Sequence, residues 1–216
     1  MTTWETNLSC NPPFDSWTTA AGTQENLPII CVNWYEAYAF CIWDGGFLPS
    51  EAEWEYAAAG GSEQREYPWG STDPGTANQY AICGDGQGNC YYPTGTLAPC
   101  KDVANIARVG TATMGAGYSG QLDLAGEAWE WNLDWYATYV DPCSDYAYLT
   151  SASSRVGRGG SFYNTAAVSL PPYRDYYYAP ANHLDLSGFV APGPPETNGH
   201  THRTEHRAAE VAEHRA

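Results

Sequence analysis

Along this 216-residue chain the apolar and polar positions keep a helical rhythm in one early stretch and almost none elsewhere. In "VNWYEAYAFCIWDGG", Trp34, Ala37, Tyr38 and Cys41 stand at i, i+3, i+4 and i+7, which is one helix face. Asn33 precedes them as an N-cap, and Glu36 sits three residues on, the spacing of a capping box. Gly45 and Gly46 supply the stop. The pattern recurs at once in "LPSEAEWEYAAAGG". There Ser50 and Glu53 make the cap, Trp54, Ala57 and Ala58 the stripe, and Gly60 and Gly61 the end. Two short helices joined by the single turn "GGFLP" are expected.

From Tyr67 to Gly120 no period is sustained, and Gly, Pro, Asn and Asp punctuate every few residues, which reads as ordered loop. "LAGEAWEWNLDWY" alternates in part, with Trp129, Trp131 and Leu133 on one side, and predicts a strand. "RVGRGGSFY" predicts a second short strand with a Gly kink. "PPYRDYYYAP" is extended or turn, because each proline disfavours helix just before it. No internal repeat is visible. After Phe189 the pattern ends. Residues 191–216 begin Pro/Gly-rich, turn charged and Ala-rich, and contain no aromatic residue, so they cannot bury enough to fold alone.

Composition sharpens this outline. Nine Trp and seventeen Tyr against five Phe, with 22 Gly and 15 Pro, favour a loop-rich α+β domain over a helix bundle. The net charge of −16 speaks against nucleic acid and anionic membrane surfaces as partners. It fits solubility, or cation binding by clustered carboxylates. No stretch reaches the roughly 18 apolar residues of a membrane span, and the N-terminal residues lack the basic start and apolar core of a signal peptide. Yet seven cysteines in mostly polar, turn-rich surroundings favour disulfides and an oxidising compartment. A natural start upstream of Met1 reconciles these two signs.

Taken together, the segments "VNWYEAYAFCIWDGGFLPSEAEWEYAAAGG", "YPWG", "DLAGEAWEWNLDWY", "RVGRGGSF" and "APANHLDLSGFVA" resemble one family. It is the formylglycine-generating, sulfatase-modifying-factor domain, a variant of the C-type lectin-like fold. The resemblance runs from about Leu27 to Phe189. It implies an α+β, irregular, loop-rich fold of two short helices and short antiparallel strands. It divides the chain into an N-terminal remnant or extension (1–26), the domain itself (27–190) without its opening strands, and a disordered or out-of-frame tail (191–216). It implies an extracellular or periplasmic natural form.

The departures from the family pattern bear on function. The Arg of "GGRLP" is Phe47, the Asn of the "GNVWEW" block is Glu127, and the closing "GFRC" is Gly188, Phe189, Val190 and Ala191. In the family the first-helix Cys pairs with the closing Cys. The resemblance therefore leaves Cys41 without its partner and six cysteines free to pair. The codons CGT-TGC-GCC-CGG encode a family-like Arg-Cys-Ala-Arg. With the first base deleted they read Val190-Ala191-Pro192-Gly193, so a frameshift accounts for the tail.

The family's oxidases hold Cu(I) on two cysteines between "RGGS" and the later prolines, since soft thiolates suit that ion. Here Phe162 to Ala179 contains no Cys, Asn164, Ala166 and Ser169 stand near the expected thiol positions, and no Cys follows Cys143. No copper is expected. A related branch uses non-haem iron with ligands from a separate helical domain, for which this chain has no counterpart. Family members also bind Ca²⁺ around the "GNVWEW" block, which points to Asp123, Glu127 and Glu130, hard oxygens on an irregular loop. The plainer alternative has Glu130 and Asp134 bonded to backbone N–H groups or arginine. His202 and His206 of the tail are spaced for one helix face, and His183 reads as a surface residue in a turn.

The segment "FYNTAAVSLPPYRDYYYAPANHLDL" maps to the variable, ligand-facing part of the fold. Three consecutive tyrosines cannot all face one side of a strand. Exposed Tyr gives rigid amphipathic contact at low entropic cost. The candidate ligand residues are Tyr163, Asn164, Tyr173, Arg174, Asp175, Tyr176, Tyr177, Tyr178 and Asn182, and the candidate ligand is a protein, peptide or glycan. The expected function is a non-catalytic secreted binding or structural module. The alternatives are an enzyme of the family with an unrecognised active site, and a truncated or frameshifted form without function.

Overall fold

The computed structural model describes residues 13–140, 146–175, 179–183 and 187–189. Helices α1 (Trp34–Trp43) and α2 (Glu51–Ala59) form where the sequence predicts them, each with both arms of its capping box made. In α1, Glu36 N donates to Asn33 Oδ1 at 3.0 Å and Asn33 N donates to Glu36 Oε2 at 2.9 Å. These reciprocal bonds satisfy N-terminal donors that the helix itself leaves orphaned. At the other end of α2, Gly60 takes the left-handed conformation that stops it.

The strands are β1 (Ile29–Ile30), β2 (Asn89–Cys90), β3 (Ala98–Pro99), β4 (Trp129–Trp135), β5 (Arg155–Arg158) and β6 (Ser187–Phe189). One sheet runs in the order β1-β6-β4-β5, and β2 and β3 form a separate pair. β6 lies antiparallel to β1 and parallel to β4, so the end of the domain closes against its beginning. The β4–β6 pair is the parallel exception in an otherwise antiparallel sheet. Residues 13–26 belong to the same body: Phe14 packs on the core, and Ile30 N donates to Ser16 Oγ at 3.0 Å. The main core gathers Ile30, Ile82, Ile106, Ala128 and Phe162. Most of the rest is loop, held in register by close backbone contacts. A Cβ at Gly126 would meet Ile82 O at 2.2 Å, and its φ of +78° is one that glycine adopts most readily.

A second core joins α1 to β4 through Val32, Trp34, Cys41 and Trp131. Two indoles tie it by exchange: Trp34 Nε1 donates to Asn132 O at 2.7 Å, and Trp131 Nε1 donates to Val32 O at 3.0 Å. The Arg155 guanidinium lies between the rings of Trp34 and Trp135, at 3.6 and 3.8 Å from their centroids. On β4 the expected apolar side is buried at Trp129 and Trp131, but Glu130, Asn132 and Asp134 are buried as well. For Glu130 and Asp134 the reason is α2, which bonds to both. Its Trp54 indole donates to Glu130, and its Glu51 N donates to Asp134 Oδ2 at 2.7 Å. The buried Asn132 side-chain amide has no hydrogen-bond partner among the described residues.

The cysteines divide differently from the expectation. Cys90 and Cys100 form a disulfide and Cys31 is disulfide-bonded too. Cys41 is free and buried, as the loss of its family partner implies, but Cys83 is also free and buried. Cys83 packs with Ala81, Ala125 and Trp69, an apolar setting in which the thiol is not disulfide-bonded. Cys10 and Cys143 lie outside the described residues.

Candidate functional site

Three regions carry polar chemistry. The first is an ion-pair network under α2. Arg158, fully buried at the end of β5, meets Glu51 Oε1 at 3.2 Å and donates to Glu55. It also donates to the carbonyls of Pro171 and Tyr173. Arg174 donates to Glu51 Oε2 at 2.7 Å and to Ala137 O at 2.9 Å, and its guanidinium stacks over Tyr136 and Tyr139. Tyr139 completes the set by donating to Glu51 Oε1 at 3.1 Å. Burial and then the Glu51 charge push its phenol up to about 12.

The second region is the turn before β4, where Asp123 and Glu127 both adopt left-handed backbone, at φ of +63° and +65°. Asp123 accepts from Gly110 N at 2.7 Å. Glu127 is 1% exposed and neither of its carboxylate oxygens has a hydrogen-bond partner. Burial, and then the Asp123 charge, pushes its carboxyl well above the ordinary range; the Ala107 N–H pulls the other way without bonding geometry. Burial likewise raises Asp123, and it lifts Glu130 to about 8 although the Trp54 indole opposes the shift. Among the described residues no group of three or more His, Cys, Asp or Glu stands close enough to hold a metal by itself. Asp134, by contrast, accepts from two backbone N–H groups, those of Glu51 and Tyr148.

The third region is the segment from Phe162 to His183. Asn164 Oδ1 accepts from Ser161 N at 3.1 Å and Ser161 Oγ at 2.7 Å, so its amide oxygen braces the turn after β5. Ser169 is fully buried, and its Oγ lies 3.9 Å from Cys83 Sγ. Burial pushes that thiol up to about 12. Tyr163 is half-buried, and Asp175 is buried with its backbone paired to Gly157. Tyr173 is 41% exposed, its ring 6.0 Å from that of Trp129, and Asn182 is exposed. Tyr176, Tyr177 and Tyr178 lie outside the described residues. His183 is more than a surface residue: its Nε2 stands 2.9 Å from Glu36 Oε2 and 3.1 Å from Asn33 Nδ2. With Trp34 N donating to Pro180 O at 3.0 Å, it latches this segment to the start of α1.

Two helices packed on a four-stranded sheet inside a loop-dominated body, closed by strands from both ends, define a C-type lectin-like domain of the formylglycine-generating type. The chain belongs to the family of the sulfatase-modifying factor enzyme 1-like domain, whose model matches residues 3–189. It is 36% identical over 151 residues to a formylglycine-generating enzyme of Thermomonospora curvata, covering 63% of this chain and 45% of that enzyme. It is 33% identical over 149 residues to a Bos taurus protein named inactive C-alpha-formylglycine-generating enzyme 2, covering 68% and 42%. The chain thus spans less than half the length of these two relatives. Among solved structures, Treponema denticola variable protein 1 superposes with a TM-score of 0.55 at 24% identity, over 86% of this chain and 78% of that one, which supports the fold.

Sequence reasoning missed the network of Glu51, Glu55 and Arg158, and the contact of Cys83 with Ser169. The "SEAEWEY" block reads as a solvated helix start, and nothing local announces arginines more than a hundred residues away. A hint lay in the charge count: with nine Lys and Arg, the arginines flanking "VG" in "RVGRGG" are costly places to spend charge on a short strand.

Proposed function

We propose that this chain is a non-catalytic recognition module on the formylglycine-generating scaffold, acting outside the cytosol, with residues 162–183 presenting the ligand face. One observation carries this reading: Asn164 and Ser169 stand near the positions where the family's copper thiols fall, and both are committed to packing. Asn164 braces Ser161, and Ser169 is closed off from solvent. Among the described residues Cys83 is the thiol at Ser169, and a two-thiolate Cu(I) site needs a second. The described residues there do not fit that ion. A relative carrying the word inactive in its name is in keeping with a family that keeps the scaffold without the chemistry.

The disulfide between Cys90 and Cys100 supports an oxidising, extracellular or periplasmic setting. Among the described residues no helix is long and apolar enough to cross a membrane. The ligand face offers Tyr173 and Asn182 at the surface beside the half-buried Tyr163, Asn164 and Arg174. Such a mixture of aromatic and amide groups suits a protein, peptide or glycan surface. The net charge of −16 disfavours nucleic acid.

A Ca²⁺ ion at Asp123, Glu127 and Glu130 belongs to the same reading. The supporting observation is Glu127, whose two buried oxygens are without partners, an arrangement that costs several kcal/mol unless a cation or proton joins it. Calcium supplies positive charge and takes six to eight oxygens, so main-chain carbonyls of the turn would complete the set. These residues would hold the turn before β4 and, through Glu130, the Trp54 indole of α2.

The test is binding to arrayed peptides and glycans, with Tyr173→Ala, Asn182→Ala and an exposed control, Tyr118→Ala, in parallel. Loss of a saturable signal in the first two variants with the control unchanged supports the reading. A signal indifferent to both substitutions, or no ligand in either array, contradicts it.

A further inference from the structure

The outer face of α1 is apolar where a surface helix is normally polar. Tyr35 is 53% exposed, Tyr38 37%, Ile42 56% and Trp43 45%. Ala39 is exposed at the centre of the same face. The inner face is equally apolar, with Trp34, Ala37 and Cys41 buried against β4. A helix apolar all round is built to be covered all round. Phe47, just beyond the helix, is 62% exposed. Between Tyr35 and Trp43 the one charged side chain is Glu36, and it is turned to His183.

We propose that this face is the interface of a two-fold dimer, its occupant the α1 face of a second copy of this chain. Size is the first argument. At these exposures, and with large side chains of about 150–250 Å² each, Tyr35, Tyr38, Ile42, Trp43 and Phe47 together present roughly 500 Å². That is at the upper end of what a monomer leaves open. Two such faces together hide on the order of 1,000 Å², the threshold of a specific interface. Charge is the second argument. Antiparallel packing of the two α1 helices sets the C-terminal end of one beside the N-terminal end of the other. Asp44, the C-cap residue, follows a last turn with no basic residue, so the end it occupies is doubly negative. In the antiparallel pair it meets the first turn of the partner helix, where the one acidic side chain, Glu36, is already bonded to Asn33 N and paired with His183. A two-fold contact of this kind is isologous and closes at the dimer.

The dimer adds to the recognition function without depending on it. Residues 179–183 are fastened to the start of α1 through Pro180 and His183, so two ligand faces are carried next to one interface. Two linked sites raise the avidity for a repetitive ligand.

The test is sedimentation across the micromolar range at low and moderate salt. The expected species has about twice the 23.5 kDa chain mass, and salt strengthens it by screening the self-repulsion of an acidic chain. Ile42→Glu with Trp43→Glu weakens association at least about tenfold, equivalent to 1.4 kcal/mol, with the far-ultraviolet circular dichroism unchanged. Ala39→Cys, on the centre of the face, gives a disulfide-linked dimer on mild oxidation, which reports the interface without destabilising the fold. A monomer at every concentration overturns the proposal. So does a dimer that survives the double variant and fails to cross-link through Cys at position 39. Binding of ligand by a monomeric protein would leave the recognition reading standing and this one refuted.

Discussion

Two buried charge clusters touch α2 and are built on opposite principles. Around Arg158, two arginines, two glutamates, a tyrosine and several carbonyls pair with one another; Arg158 Nε meets Glu51 Oε1 at 3.2 Å as an ion pair without hydrogen-bond geometry. Around Glu127, three acidic residues at the turn before β4 and at its start have, among the described residues, no arginine or lysine as a side-chain partner, and the Glu127 carboxylate accepts no hydrogen bond. A buried charge is costly unless paired. The first cluster therefore reads as architecture, joining α2, β5 and the segment from Pro171 to Arg174. The second reads as a place prepared for something else, a cation or a proton. Burial alone does not tell a structural charge from a functional one; the completeness of its partners does.

The comparison breaks most visibly at Arg158. Arg158→Met leaves Glu51 and Glu55 short of a counter-charge, and the expected loss is about 3–5 kcal/mol, read from urea unfolding. A loss under about 1 kcal/mol would mean that the network is not the tie described. At the other cluster the sign reverses. Glu127→Asn restores the family residue, removes an orphaned charge and better tolerates left-handed backbone. It is expected to stabilise the chelator-treated protein by about 1–2 kcal/mol and to shrink the rise in melting temperature that added Ca²⁺ gives the parent chain. A Ca²⁺ response equal in both proteins would remove Glu127 from the site.

A smaller effect follows from pH. The Glu130 carboxyl is raised from 4.5 to about 8, so the folded form binds a proton that the unfolded form has released. In chelator, stability is greatest below about 4.5 as far as this group is concerned and falls as pH rises towards 8. Glu130→Gln flattens that slope; an unchanged slope would assign it elsewhere. The least perturbing probe is the thiol pair. Burial pushes both Cys41 and Cys83 up to about 12. Iodoacetamide at pH 8 is expected to leave both unlabelled in the native protein and to label both after unfolding without reductant. Rapid native labelling of Cys83 would open the apolar pocket assigned to it.

How much of this was legible follows the range of the interactions. Asn33 with Glu36 and Ser50 with Glu53 act within one turn, so both helices could be placed to the residue. The alternation of β4 announced Trp129 and Trp131 correctly. It could not announce that Glu130 and Asp134 are buried too, because their partners, Trp54 and Glu51, come from α2, about eighty residues earlier. Arg174, read as a ligand residue, is held by Glu51 across 123 positions. His183 looked solitary because Glu36 lies 147 residues away. Cys83 looked like a disulfide partner because a polar, turn-rich neighbourhood in sequence says nothing about the apolar residues folded over it.

The most direct test of the account is turnover. The protein, loaded with Cu(I) under reducing conditions, is incubated with oxygen and a cysteine-containing peptide, and the peptide mass is followed beside a formylglycine-generating enzyme as positive control. The account predicts an unchanged peptide and no oxygen uptake above the copper blank. Conversion of the peptide cysteine to an aldehyde would contradict it, and would mean that the chain holds copper through ligands other than Asn164 and Ser169 and their neighbours.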